Sequence, residues 1–187
     1  RALAVTPALL GKKLMTSFEG KVTAGIICET EAYCGVEDRG CHAYNGRFTE
    51  RTKIMYAEGS VSYVYLCYGV HYLFNVVTHV AGQPHAVLIR AIEPTEGIPT
   101  MLERRNLTQF TPGIGAGPGL VTQCLGLTTK HNGLSLLGQD IRICDAAPIN
   151  PKQIVASPRV GMNFSGPYKL IPWRFRIADS PFTSKAK

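Results

Sequence analysis

Residues 61–77 read VSYVYLCYGVHYLFNVV. Tyrosine, valine and phenylalanine at this density favour a pleated, half-buried strand. Gly69 interrupts the run where a tight turn needs backbone freedom. Two strands meeting in a hairpin, with Tyr68 at its tip, are therefore expected. Residues 21–33 (KVTAGIICETEAY) read as a strand whose β-branched residues run into a polar end. Residues 85–93 (HAVLIRAIE) read as another, ended by Pro94. Residues 95–106, which contain MLERRN, read as a short helix, and residues 118–127 as a second with Pro118 near its first turn. Segments 135–144, 154–162 and 170–178 look like late strands. Strands outnumber helices and do not alternate with them, which predicts an α+β domain on antiparallel sheet rather than a doubly wound fold. At 187 residues the chain suits one domain, 1–187, with a sizeable core. It shows no internal repeat or low-complexity linker.

Residues 35–58 form a long polar stretch holding Arg39, Arg47, Arg51 and Lys53. A loop of that length inside a compact domain is usually functional or mobile. Lysine and arginine exceed aspartate and glutamate by 20 to 13, a net charge of +7. That balance suits a polyanionic partner such as nucleic acid, although many soluble proteins are mildly basic without one. Hydrophobic residues at 45% and charged residues at 18% exclude a disordered chain.

The six cysteines contain no C-x-x-C pair, and their scatter fits reduced thiols better than a disulfide framework. Cys34, Cys41 and His42 are close in sequence, but the spacing matches no usual zinc site and no second ligand pair follows. No metal is expected. There is no signal-peptide pattern and no apolar run of transmembrane length, so no membrane partner is expected. The sequence opens on Arg1 rather than methionine, as a trimmed chain would.

The glycine-rich run from Gly113 to Gly119 precedes a helix, as a phosphate-binding loop does. It lacks the G-K-[ST] ending of a P-loop, and Pro118 stands where G-x-G-x-x-G needs its third glycine. A nucleotide cofactor is not expected. A helix N-terminus facing a DNA phosphate remains open, with Gly117 at that end.

Glu31 and Tyr33 are two apart on a strand pattern and share one face, as do Tyr63 and Tyr65. Core packing is the ordinary fate of any one tyrosine. Four tyrosines between positions 63 and 72 beside a basic loop are harder to assign to packing alone, because aromatic faces can sandwich a base and an aromatic at a hairpin tip can wedge between base pairs.

Glu29-Thr30-Glu31-Ala32-Tyr33, followed by Gly35, Glu37-Asp38 and His42, resembles the E-T-E-A-Y-x-G-x-x-D-x-x-x-H signature of the alkyladenine (3-methyladenine) DNA glycosylase family. Tyr63-Val64-Tyr65-Leu66-Cys67-Tyr68-Gly69 is similar to that family's Y-V-Y-x-x-Y-G hairpin, and Asn75 follows at the family's distance. Residues 87–94, V-L-I-R-A-I-E-P, resemble its V-L-x-R-A-x-E-P strand. Gly117-Pro118, Arg159-Val160-Gly161 and Ser180-Pro181 fall in order, so the resemblance covers nearly the whole chain. It implies a single mixed domain around a curved, partly open β-barrel with a few helices and a protruding hairpin. It also implies a monofunctional glycosylase that flips a damaged purine out of double-stranded DNA and hydrolyses its bond to the sugar.

Under this resemblance Glu31 would be the general base that activates water, and Arg90 would hold the carboxylate and the water. Tyr33, His42 and Tyr65 would stack on the flipped base. Asn75 would crowd the exocyclic amino group of guanine, and Tyr68 would fill the gap left in the duplex. Arg47, Arg51, Lys53 and the backbone at Gly117 would meet the DNA backbone. A carboxylate near the sugar stabilises its developing positive charge and deprotonates water. An alkylated, cationic purine is a good leaving group and gains about 0.5–2 kcal/mol per favourable aromatic contact. No cofactor is implied, a monomer is expected, and the site of action would be intracellular: cytoplasm or nucleoid in a bacterium, the nucleus in a eukaryote.

Two positions depart from the family pattern. Leu120 stands where members commonly carry lysine, and Thr52 where asparagine is frequent, so the grip on DNA is where the chain would differ. A noncatalytic nucleic-acid-binding module is the alternative reading, against which the intact Glu31 and Arg90 speak. A hydrolase of free nucleosides is a third, against which Tyr68 and the basic loop speak.

Overall fold

The computed structural model describes residues 1–185. Its centre is an eight-stranded antiparallel sheet: β1 (Lys13–Phe18), β2 (Lys21–Cys34), β3 (Ser62–Cys67), β4 (His71–Val77), β5 (His85–Glu96), β6 (Ile141–Cys144), β7 (Ile154–Ser157) and β8 (Arg174–Ile177). Four α-helices accompany it: α1 (Ala2–Ala8), α2 (Ile98–Arg105), α3 (Pro118–Leu125) and the single turn α4 (Pro167–Leu170). The class is α+β, as the strand-rich, non-alternating pattern predicts. The spatial order is β3-β4-β5-β2-β1-β6, with β8 pairing both β2 and β7.

β2 organises the sheet. Along one edge it pairs with β5 over most of its length. Along the other it pairs first with β1, through residues 21–26, and then with β8, through Glu29, Thr30 and Glu31. Its register against β5 slips between Ile27 and Glu29, a bulge that increases local twist. Two partners in succession on one edge, with a bulge between them, curl the sheet into a half-barrel.

Ile27, Ile89, Ile92, Phe74, Val121 and Leu125 are fully buried in the main core, each worth about 1.5–3 kcal/mol in transfer free energy. A smaller cluster of Cys41, Ala43, Met55, Tyr63, Val77 and Ala86 lies under the polar stretch 35–58. That stretch is therefore pinned rather than free. It contains three 3-10 turns, and the buried Thr52 hydroxyl donates to the Arg47 carbonyl at 2.9 Å while accepting from the Thr49 amide at 2.9 Å.

Several boundaries differ from those the sequence predicts. β5 runs through Pro94 to Glu96, because Pro94 sits opposite Gly25 at a register shift where its missing N–H breaks no ladder. Gly25 is required there, since a Cβ would lie 2.9 Å from the Glu93 carbonyl oxygen. The late strands are shorter than expected: only 141–144, 154–157 and 174–177 pair, and residues 167–170 form a helical turn. α1 and β1 were invisible in the pattern, because residues 1–20 carry no strong alternation.

β3 and β4 form the expected hairpin, in which Tyr63 lies opposite Asn75 and Cys67 opposite His71. Tyr68 and Gly69 both take positive φ at its tip, 50° and 69°, and the Val70 amide closes the turn on the Cys67 carbonyl. The Tyr68 side chain stands out at 87% exposure. No helix among the described residues is long and apolar enough to cross a membrane.

Candidate active site

A cavity of about 600 Å³ opens between the hairpin, the start of α3 and the segment 160–164. Of the residues singled out in the sequence, Tyr33, His42, Tyr65, Tyr68, Asn75, Arg90, Gly117 and Leu120 all line it. Segments far apart in the chain thus converge on one space.

Glu31 is fully buried just behind this wall. Its Oε2 accepts from the Tyr33 hydroxyl at 3.0 Å and its Oε1 from the Val160 amide at 2.8 Å. Arg90 brings Nη1 to 3.3 Å of Oε1. All three partners, Tyr33, Val160 and Arg90, line the cavity. Strand alternation explains the first contact, since residues two apart on β2 face the same way. Burial, reinforced by Glu31, holds the Tyr33 hydroxyl well above its usual range, so it stays a donor. Burial opposes the charge on Arg90, but Glu31 and Glu29 outweigh it and keep the guanidinium protonated. An unpaired carboxylate at this depth would be prohibitively costly, and these three donors offset that cost.

The aromatic wall is linked by hydrogen bonds. His42 Nδ1 lies 2.9 Å from the Tyr63 hydroxyl, and its Nε2 lies 3.2 Å from Arg51 Nη2. Arginine can only donate, so Nε2 accepts and Nδ1–H points to Tyr63, an assignment made from the network. Burial first, then Arg51 and Arg47, lower His42 to about 4. The ring is therefore neutral at physiological pH and does not repel a cationic guest. His42 meets the Tyr65 ring edge-on at 4.7 Å. Asn75 is buried, and its amide nitrogen donates to the Tyr63 carbonyl at 3.1 Å, which fixes the side chain in the cavity wall.

The basic loop divides. Arg47 is exposed. Arg51 leans inward, its guanidinium 4.6 Å from the Tyr65 ring centre and bonded to His42. Lys53 is paired with Glu50 at 2.6 Å on the surface, an exposed pair worth about 1 kcal/mol or less. Gly117, at φ 152°, starts α3 beside the cavity. Gly119 packs against His71, where a Cβ would come within 3.0 Å of its side chain. Of the two departures, Thr52 faces the interior of the loop, and Leu120 adds an apolar side chain to the cavity wall.

Sequence reasoning missed an ionic layer behind the cavity. Asp38 and Arg159, both with fully buried side chains, form a bidentate pair at 2.6 and 2.7 Å. The Arg159 guanidinium lies 4.8 Å from the Tyr33 ring centre and 5.1 Å from that of Trp173, and the residue next to it, Val160, caps Glu31. Glu29 is fully buried against Arg90. Both Asp38 and Arg159 stand in the ordered motifs, but nothing in their spacing says that they meet.

Among the described residues no group of three His, Cys, Asp or Glu side chains is placed to hold a metal ion. Burial pushes the Cys34 thiol up to about 12 and that of Cys41 to about 11, so neither offers a thiolate near neutral pH.

The sequence profile of one family, described as methylpurine-DNA glycosylase, matches residues 1–181. A protein of Chlamydia felis carrying the provisional name 3-methyladenine DNA glycosylase is 47% identical over 171 residues, 90% of this chain and 87% of its own. Similarly named proteins of Natranaerobius thermophilus and Chlorobium luteolum are 40% and 43% identical. They cover 98% and 99% of this chain and 93% and 92% of their own lengths.

Proposed function

The chain belongs to the methylpurine-DNA glycosylase family, and on that premise we propose how its residues release an alkylated purine from double-stranded DNA in base excision repair. The damaged nucleotide leaves the stack, which costs least where pairing is already weakened, and Tyr68 fills the gap. The base enters the cavity against Tyr33, His42 and Tyr65, and Asn75 turns away guanine through its exocyclic amino group. Glu31, held by Tyr33, Val160 and Arg90, takes a proton from water as the bond to the sugar breaks and stabilises positive charge on the sugar. Arg47 and the start of α3 at Gly117 lie along the DNA backbone. The protein acts as one domain and as a monomer, where the genome is.

A single observation carries this reading. The one carboxylate of the E-T-E-A-Y segment that faces Tyr33 has every one of its named partners in the wall of an aromatic cavity large enough for a purine. No lysine stands among the described residues that line the cavity, so a Schiff base with the sugar has no evident amine. Base release should leave an intact abasic site. Borohydride trapping on a lesion-bearing duplex should give no covalent protein–DNA adduct. An adduct formed in step with base release would overturn the water mechanism and point to Lys53 or the chain's amino terminus.

A further inference from the structure

Glu29 has no part in the chemistry just described, yet it is fully buried and more heavily bonded than Glu31. Its Oε1 accepts from Arg90 Nε at 2.9 Å and from the Ser184 hydroxyl at 2.9 Å, with Arg174 Nη1 at 3.7 Å. Its Oε2 accepts from the Ser184 amide at 2.7 Å. Ser184 lies three residues beyond the family match, which ends at 181, and is itself buried. Arg90 thus stands between two carboxylates. It gives Nε to Glu29 and only one Nη1 contact, longer at 3.3 Å, to Glu31.

That asymmetry has a chemical consequence. A guanidinium free to close on Glu31 in the bidentate manner would take both of its oxygens and lower its basicity, as an opposite charge does. Glu29 competes for the same guanidinium. We propose that Glu29 and Ser184 are positioning residues for base release: they hold Arg90 by its Nε so that its far nitrogen only touches Glu31, leaving Glu31 a base instead of half of a closed ion pair. The proposal rests on the reading of Glu31 as the base. The charged and titratable groups around the two carboxylates are Arg90 from β5, Arg174 from β8, Tyr65 from β3, Arg159 behind Tyr33, and Tyr33 and Cys28 on β2 itself. Burial keeps both Tyr33 and Cys28 protonated.

The test is the pH dependence of single-turnover base release from a duplex carrying one alkylated purine, with lesion-duplex binding measured in parallel. Glu29→Gln removes a charge beside Glu31 and frees Arg90 to close on it. The acidic limb should move down by about one pH unit, the plateau rate should fall about tenfold, and binding should hold. Ser184→Ala removes one donor from Glu29 Oε1, so Glu29 draws Arg90 harder and the limb should move up, by about half a unit or less. A merely structural role would lower rates in both variants without moving either limb, and unmoved or reversed limbs overturn the proposal. Should Glu29→Gln fail to fold, the upward shift in Ser184→Ala decides alone. Glu31→Gln in the same assay separates the two readings: if it keeps near wild-type rate, the assignment of the base fails. If it is inactive while the limbs stay fixed, only the positioning role fails.

Discussion

Asp38→Asn is the perturbation whose cost the structure defines most closely. Each Asp38 oxygen accepts two hydrogen bonds. Oδ2 takes Arg159 Nη1 at 2.6 Å and the Cys34 amide at 3.0 Å, and Oδ1 takes Arg159 Nη2 at 2.7 Å and the Gly40 amide at 2.9 Å. Asparagine has the same shape, but whichever way its amide turns, its NH₂ faces two donors. The Arg159 guanidinium then stays buried without a counter-charge. Removing one partner of a buried pair costs about 3–5 kcal/mol, and at this chain length each kcal/mol lowers the melting temperature by about 2–4 °C. A fall of about 10 °C is therefore expected. Urea unfolding followed by fluorescence of Trp173, the only tryptophan in the sequence, reads the change beside the pair, since Arg159 lies over its ring. Adding Arg159→Met to the variant should recover part of the loss, because the stranded cation goes with it. A loss below about 1 kcal/mol for Asp38→Asn would show that the pair is not desolvated as described and would refute the argument.

His42 should titrate near 4 by NMR. A depressed value means that the unfolded chain takes the proton first, so the His42 contribution to stability is intact above its ordinary value of 6.5 and is lost as pH falls from there towards 4. Arg51→Gln should raise the His42 midpoint, and an unchanged midpoint would remove Arg51 as a cause. Asn75→Ala should raise release of undamaged guanine relative to hypoxanthine by about tenfold, measured as free base from duplexes carrying each. Unchanged discrimination would take Asn75 out of the selection.

The parts legible in the sequence were those set by local pattern. Alternation placed Glu31 and Tyr33 on one face, and the tyrosine-rich run with Gly69 at its centre gave the hairpin and its exposed tip. The residues singled out from the ordered motifs line one cavity. What stayed hidden depends on distant encounters. Asp38 and Arg159 are 121 positions apart, and Glu29 meets Ser184 from 155 positions away. No periodicity encodes either meeting. Lys53 and Arg51 read alike as basic loop residues, yet Glu50 pairs with one while the Tyr65 ring and His42 draw the other inward. Thr52 reads from the sequence only as a departure from the family pattern, and no local pattern shows that its hydroxyl ties the loop to the Arg47 carbonyl. The late strands were overextended because short apolar stretches resemble strands whether or not a partner edge is in reach.

The assignment of Glu31 as the base is tested most directly by the single-turnover rate of base release for Glu31→Gln on a duplex carrying one alkylated purine. Glutamine keeps the shape: its one carbonyl oxygen can still accept from the Val160 amide and its NH₂ can donate to the Tyr33 hydroxyl oxygen, but it cannot take a proton from water. The rate should fall by about a hundredfold or more, the usual share of a general base, with binding to the lesion duplex unchanged. A rate within about threefold of the unaltered protein would lie far below that share and would contradict the account.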